Sequence, residues 1–484
     1  MKQYKLVIAA ALMGAVACKK TELDLFPYNQ VETTQAFNTE ADVTLAVNGM
    51  YTGFRTPPTV ATGSVAYTNA YFIGQWNIMA DVLSDNVIIM QLGRQTLKTY
   101  GEWKYTGEDT YRLFDHGYAI TRRANAILEN IDKFPDGTFK NNAKGEALAV
   151  RALTYFDMSR VYGKTYTNAT TADSIMPYVE ITNAGNLPSR ESVQGFYDKV
   201  IRDFTEAQNL INDDNGVGRL NKKAVAGLLS RVYLYKGDWA NTIASANTAL
   251  GATPVLPSIA NFPKVWTDET EQGVLFKVKN TNLDNLNNPG VNYYQIVTGG
   301  IKSEYVVEYN FKQMFKATDV RTSSYIQTSP YNGVNYNHVI KWNKNPTKPL
   351  GVLDFKVIRT AEVLLNRAEA YYRANNATSA LADLNLLRAN RYSDYAPLVL
   401  AGQPLLDEIL KERRLELAFE GDRFWDLKRR NAPVVRDATK GDKADGTGTP
   451  YVKTSLPAGD FHFQLAYPQG ELNYNTNLKQ NPQY

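Results

Sequence analysis

Residues 222–254 read KKAVAGLLSRVYLYKGDWANTIASANTALGATP, and that stretch decides the fold class. Apolar residues recur at helical spacing as far as Tyr235, Gly237 interrupts them, and the same period resumes from Trp239 until Pro254 closes it. So short a turn obliges the two helices to pack on each other. Leu229, Tyr233, Trp239, Ala249 and Leu250 then suit a helical hairpin, in which small residues let the backbones approach and large ones fill the groove between them.

The spacing resembles a tetratricopeptide (TPR) repeat, and it occurs twice. In 361–391 the matching residues are Ala361, Leu364, Ala368, Tyr371, Ala380, Leu384 and Leu387, with Asn375 where glycine is usual. Less regular pairs at 108–163 and 193–211 extend the array. In the first of these, Tyr111, Phe114, Tyr118, Ala124, Ile127, Leu128 and Ile131 share one face. Stripes near 40–54, 143–162, 303–316, 357–373 and 404–420 predict further helices, and Thr39-x-x-Asp42 predicts a capping box ahead of the first. The expected fold class is mainly α: TPR-like hairpins over about 108–254 and 357–430, with long irregular loop insertions and little β.

The insertions, at 55–107, 164–190, 255–302 and 317–356, are rich in asparagine, glycine, proline and tyrosine and read as loops, with a short strand expected at Val274–Val278. Loops beyond about 12–15 residues in a compact protein are functional or disordered, and the aromatic content opposes disorder. Residues 33–484 are expected to form a single unit, with ligand-binding regions at about 55–107 and 255–356.

At the amino terminus Lys2 and Lys5 precede an apolar run from Leu6 to Ala17, which ends at Cys18, the one cysteine in the sequence. This is a secretory signal peptide in outline, over 1–17. Ala15, Val16 and Ala17 before the cysteine look like a lipobox, although Ala15 stands where leucine is usual. The run is about half of the roughly 20 apolar residues a spanning helix needs, so an anchored chain is expected rather than a transmembrane one. Several acyl chains, palmitate among them, on Cys18 meet the requirement for more than one hydrophobic signal. Residues 18–32 then form a tether reaching at most about 50 Å at roughly 3.3–3.6 Å per residue.

Removal of Lys2 and Lys5 lowers the formal charge from +4 to +2, which leaves no electrostatic footprint for nucleic acid. The three histidines, His116, His338 and His462, include no pair at metal-ligand spacing, so no metal is expected. The chain has no Gly-x-Ser-x-Gly elbow, P-loop or dinucleotide fingerprint. No catalysis and no cofactor are expected. A carboxylate pair for glycoside hydrolysis, about 5–10 Å apart in space, is the enzymatic alternative.

Binding needs aromatic platforms with amides, carboxylates and arginines to hold hydroxyls or backbone groups. The chain holds 31 tyrosines and 6 tryptophans, and tyrosine suits wet recognition surfaces because its ring is apolar and its tip polar. A first loop cluster, from Tyr67 to Trp103, includes Tyr71, Trp76, Asn77, Asp81, Asp85, Asn86, Arg94, Tyr100 and Trp103. A second holds Tyr293, Tyr294, Tyr331, Tyr336 and Trp342. The candidate ligand-binding residues are Tyr71, Trp76, Arg94, Tyr100, Trp103, Tyr294, Tyr331, Tyr336 and Trp342.

The stretch Leu410-Lys-Glu-Arg-Arg-Leu-Glu-Leu-Ala-Phe-Glu-Gly-Asp-Arg-Phe-Trp-Asp-Leu-Lys-Arg429 resembles the C-terminal signature helix of the SusD/RagB family. Also similar are Arg151-Ala-x-x-Tyr-Phe-Asp-Met-x-x-x-Tyr-Gly163, Leu187-Pro-Ser-Arg-Glu-Ser-Val and the closing Leu478-Lys-Gln-Asn-Pro482, so the likeness spans essentially the whole mature chain. The resemblance implies a SusD-like fold in an outer-membrane lipoprotein facing the cell exterior. It implies capture of glycans or peptides for a SusC-like TonB-dependent transporter, with no chemistry of its own. Within the signature, Glu412, Glu416, Glu420, Asp422 and Asp426 lie three and four residues from Arg413, Arg414 and Arg423, which predicts ion pairs between neighbouring turns. Their guanidinium groups can also lock loop carbonyls and carboxylates. Asp173-Ser174-Ile175 resembles the O-glycosylation acceptor of such bacteria. The competing readings are a surface TPR scaffold that binds only proteins and a surface glycosidase. Glycan versus peptide, and calcium in the asparagine-rich 280–292, stay open at this level.

Overall fold

Gly237 and Asn375 each turn the chain between two paired helices, and both adopt the left-handed backbone conformation, at φ +75° and +61°. Asparagine visits that region readily because its short amide bonds locally, so Asn375 replaces the usual glycine without losing the turn. The computed structural model describes residues 36–55, 71–109, 111–183, 185–281 and 289–484. The expected signal peptide, Cys18 and the tether lie outside these residues.

The longer helices are α1 (Glu40–Thr52), α2 (Trp76–Val82), α3 (Leu113–Ile131), α4 (Thr138–Tyr162), α5 (Val193–Leu210), α6 (Lys222–Lys236), α7 (Trp239–Leu250), α8 (Thr360–Arg373), α9 (Ala377–Ala389), α10 (Gly402–Glu416) and α11 (Arg423–Arg429). From α3 to α9 each packs on the next, and α10 closes the stack against α8 and α9. The sequence also sets the helix starts. The Thr39 hydroxyl accepts from the Asp42 N–H at 3.2 Å while the Asp42 carboxylate accepts from the Thr39 N–H at 2.8 Å, the expected capping box. Asn221, Asp238 and Asn376 cap α6, α7 and α9 in the same way.

The strands of three residues or more are β1 (Val87–Ile89), β2 (Val274–Val278), β3 (Gln295–Val297), β4 (Gly300–Lys302), β5 (Tyr305–Val307), β6 (Ile326–Tyr331), β7 (Val334–Val339) and β8 (Phe355–Arg359). The expected strand β2 pairs antiparallel with β8, and β1 with β5. Two expectations need correcting. The stripe at 303–316 is not one helix but β5 followed by a short helix, Tyr309–Gln313. Tyr305, Val306 and Val307 are consecutive and all buried, and such a run fits a covered strand as well as a helical stripe. The 317–356 stretch is not a loop: it carries a helix, Val320–Tyr325, and the hairpin β6–β7, which completes a four-stranded sheet in the order β3-β4-β6-β7.

The charge-dense 410–429 segment is buried and knits these parts together. Local pairs form at Glu408–Lys411 and between Asp426 and Arg429 or Arg430. Most partners come from elsewhere in the chain, unlike the neighbouring-turn pairing expected from the spacing. Glu412 accepts from Arg321 at 2.7 Å and Arg388 at 2.6 Å, and Glu416 from Arg391 and Arg359, both at 2.8 Å. Burial would raise the Glu416 pKa, but the guanidinium groups of Arg391 and Arg359 reverse that and hold it well below the usual carboxylate range. Arg423 holds Asp85 at 2.8 Å, and Arg414 bonds the Asn86 side chain and the Asp85 carbonyl, locking the 81–86 turn onto the helices.

Candidate ligand-binding site

The two aromatic clusters do meet, and most of what they bring together is core. Phe355 stacks on Phe72 with ring centroids 5.1 Å apart and on Trp342 at 5.2 Å, and the Trp342 N–H donates to the Phe419 carbonyl at 2.9 Å. The Tyr71 hydroxyl donates to Asp157 at 2.7 Å, and its ring meets Trp76, which stacks on Trp425. Trp76 borders a cavity of about 20 Å³, room for a water but not a sugar ring. The Trp103 N–H donates to Leu83, with Arg436 over the ring at 4.0 Å, and Tyr100 stacks on Tyr105. Tyr336 packs with Ile88, Met90 and Val306. All six rings are buried. Tyr71, Trp76, Tyr100, Trp103, Tyr336 and Trp342, expected as ligand platforms, are therefore corrected to packing residues: a ring covered by protein presents no face to a ligand.

Arg94, Tyr294 and Tyr331 stay partly in solvent. The hairpin register sets Gln327 opposite His338, Ser329 opposite Tyr336 and Tyr331 opposite Val334, so these side chains share one face. Tyr294 joins it: its hydroxyl donates to the Gln327 side chain at 3.3 Å and its ring meets His338 edge-on at 6.2 Å. Lys302 on β4 lies over the Tyr331 ring, 5.9 Å from the centroid. Arg94 reaches the same region through Glu304, a buried carboxylate that accepts from Arg94 Nε at 2.9 Å and from the Thr96 N–H and hydroxyl at 2.9 and 2.6 Å. Glu304 fixes the loop, yet half of the Arg94 side chain remains exposed. Gly93 permits this approach, since a Cβ there would fall 2.6 Å from the Ser303 carbonyl oxygen.

One pair here has the distance of a nucleophile and its base: Ser303 Oγ lies 2.7 Å from His338 Nδ1. Both residues are wholly buried, and the Ser303 hydroxyl donates to the Tyr293 carbonyl at 2.5 Å, so its proton is committed to structure. Burial lowers the His338 pKa to about 4, which keeps the ring neutral near pH 7. The pair braces the sheet. Lys302 and Gln327 were missed in the sequence because their strands were read as loop, and Glu304 because the 303–316 stripe was read as a helix. Ser174 of the glycosylation motif is half-buried, in a short strand paired with Ser192.

Stack and sheet together define a helical-repeat scaffold with Tyr294, Gln327 and Tyr331 partly exposed on one side of the sheet. Residues 258–484 match the model of the SusD family, and residues 23–234 match a model described as starch-binding associating with outer membrane. The chain belongs to the SusD family. A SusD-like protein of Formosa agariphila is 25% identical over 505 residues, which cover 90% of this chain and 93% of that protein. A SusD superfamily protein from Bacteroides vulgatus has a TM-score of 0.79 at 25% identity, covering 93% of this chain and 100% of its own. A SusD-like carbohydrate binding protein from the same organism has a TM-score of 0.77 at 21% identity, covering 91% of this chain and 98% of its own.

Proposed function

We propose that the protein is a cell-surface nutrient-binding lipoprotein. It captures an oligosaccharide on the face formed by Arg94, Tyr294, Lys302, Gln327 and Tyr331, leaves it uncut, and delivers it to a SusC-like TonB-dependent transporter in the outer membrane. One observation carries the reading: two partly exposed tyrosines, one bonded to the Gln327 amide and one beneath the Lys302 amine, on a braced sheet. Partly exposed rings can stack on a sugar face while the polar groups take its hydroxyls. The carbohydrate-binding Bacteroides vulgatus relative supports the ligand class. The outer-membrane description of the amino-terminal match supports the location. The motif ending at Cys18 supports a lipid anchor, and the outward orientation follows from the family resemblance.

Calorimetry of the soluble form beginning after Cys18, against plant and host glycans and a protein digest, tests the reading when each mixture is also assayed for cleavage. Saturable glycan binding without cleavage is expected. Tyr294→Ala and Tyr331→Ala should each weaken it by about 1 kcal/mol, roughly fivefold. Binding of peptides alone would change the ligand class, and cleaved product would sink the claim of capture without chemistry. Cys18→Ser should move the protein from the membrane to the soluble fraction, and the native lipoprotein should co-purify with its transporter.

A further inference from the structure

Four lysines are buried among the described residues, and three have a carboxylate: Lys277 with Asp354 at 2.8 Å, Lys341 with Glu420 at 2.6 Å and Lys356 with Asp268 at 2.6 Å. The fourth, Lys428 on α11, is 8% exposed and has none. Its amine donates to the Arg160 carbonyl at 2.6 Å and lies 5.6 Å from the centre of the Trp425 ring. Burial, together with the facing cation Arg160, pushes the amine well below the usual lysine range. A buried cation without a counter-charge is costly. An ammonium has three donors, and one is accounted for.

Lys428 lines a cavity of about 380 Å³, inside the roughly 300–1,000 Å³ range of small-molecule sites. The cavity lies between the turns at 164–168, 428–432 and 459–464, and none of its residues belongs to the sheet face. Its other walls include Thr165, Asn168, Asn431, Gln464 and Asp460. Asp460 already accepts from the His462 N–H at 2.9 Å and from its ring nitrogen at 2.7 Å. One wall thus includes a buried lysine that has no carboxylate partner. The remainder offers Lys164, which already pairs with Asp173 at 2.6 Å, one carboxylate on Asp460, and neutral donors and acceptors that suit hydroxyls.

We propose that this cleft is a second binding site, separate from the sheet face, for a sugar acid whose carboxylate pairs with Lys428 and whose hydroxyls meet Asn168, Asn431 and Gln464. The ligand supplies the counter-ion that the fold gives to the other three buried lysines among the described residues.

The test is calorimetry of the whole mature protein with a galacturonic acid disaccharide, a neutral galactose disaccharide of equal size, and a dipeptide. The uronate should bind at least tenfold more tightly than the neutral sugar. Lys428→Met, which keeps the apolar stem and removes the charge, should abolish that advantage. Asn168→Ala, at the exposed rim, should weaken uronate binding severalfold while thermal unfolding stays unchanged. Absence of uronate binding, equal affinity for the neutral sugar, or a preference for the dipeptide would each overturn the proposal. Uronate binding undiminished in a folded Lys428→Met variant would place the ligand elsewhere. The cleft would then be ruled out, with capture on the sheet face left intact.

Discussion

Asp81 shows how one buried group shapes stability. Its Oδ1 accepts from Asn86 at 2.7 Å, while Oδ2 and the neighbouring Asn77 Oδ1 have no hydrogen-bond partner among the described residues. Burial outweighs the Asn86 and Phe419 donors and pushes the carboxyl up to about 7. The unfolded chain releases this proton near pH 4 and the folded chain keeps it to about 7. The folded state therefore binds more protons across that window, and stability falls as pH rises through it. Asp81→Asn should stabilise the protein by about 2–4 kcal/mol at pH 8 and very little at pH 4, checked by urea unfolding at both. Equal gains at the two values would refute the assignment. Trp342→Ala should cost about 3–5 kcal/mol of stability, because it empties a core site between Phe355 and Trp266. Such residues set the limit of sequence reading here. Tryptophan and tyrosine with asparagine and aspartate around them looked like a wet surface, yet Asn77, Asp81 and Asp85 are buried polar groups that serve the interior. Residue type shows what a side chain can do, and only the fold shows whether solvent reaches it.

At the scale of elements, the paired helices were legible because their periods are long and their turns carry Gly237 or Asn375, and the Thr39 capping box was legible for the same local reason. The sheet was not seen, although one signal for it was present. Asn332-Gly333 lies between Tyr331 and Val334, and both turn residues have positive φ, +49° and +78°, as a two-residue type I′ hairpin requires. Pro330 and the asparagines around it argued for loop and obscured that signal. The hairpin carries Gln327, Tyr331 and His338, so its turn is a handle on the proposed binding face. Gly333→Val forces a β-branched residue into the left-handed region and should destabilise the hairpin by about 1–2 kcal/mol. His338 reports the outcome. In the native protein its imidazole should titrate near 4 by NMR, since burial opposes the charge. The unfolded chain takes up this proton near 6.5, so the contribution of His338 to stability is lost as pH falls from 6.5 towards 4. In Gly333→Val the titration should move towards 6.5 and glycan affinity should fall. An unmoved His338 with lost affinity would show that the turn acts on the ligand directly.

Across the whole molecule, the carboxylates of α10 and α11 bind parts of the chain that are far apart in sequence. Glu416 joins Arg391 beyond α9 to Arg359 at the end of β8, Glu412 adds Arg321 and Arg388, and Asp426 faces Arg413 and Arg429. Spacing within a helix reveals only local pairs, so the density of charge was legible in 410–429 but its partners were not. Replacing Glu416 by glutamine leaves Arg391 buried without its counter-charge and Arg359 with Glu420 alone, which should cost about 3–5 kcal/mol at pH 7. The pH dependence separates this loss from a packing defect. Burial opposes ionisation of Glu416, but the arginines hold its folded pKa well below the unfolded one, so its contribution is complete above about pH 4.5 and disappears as pH falls through the folded value. The gap between native and Glu416→Gln unfolding free energies should stay constant from pH 7 to about 4.5 and narrow below that. Because the network reaches the helix stack, the β2–β8 pair and the Val320–Tyr325 helix, both proteins should still unfold in one transition. A gap that persists at lower pH, or a second transition in the variant, would mean that charge is not what unites these parts.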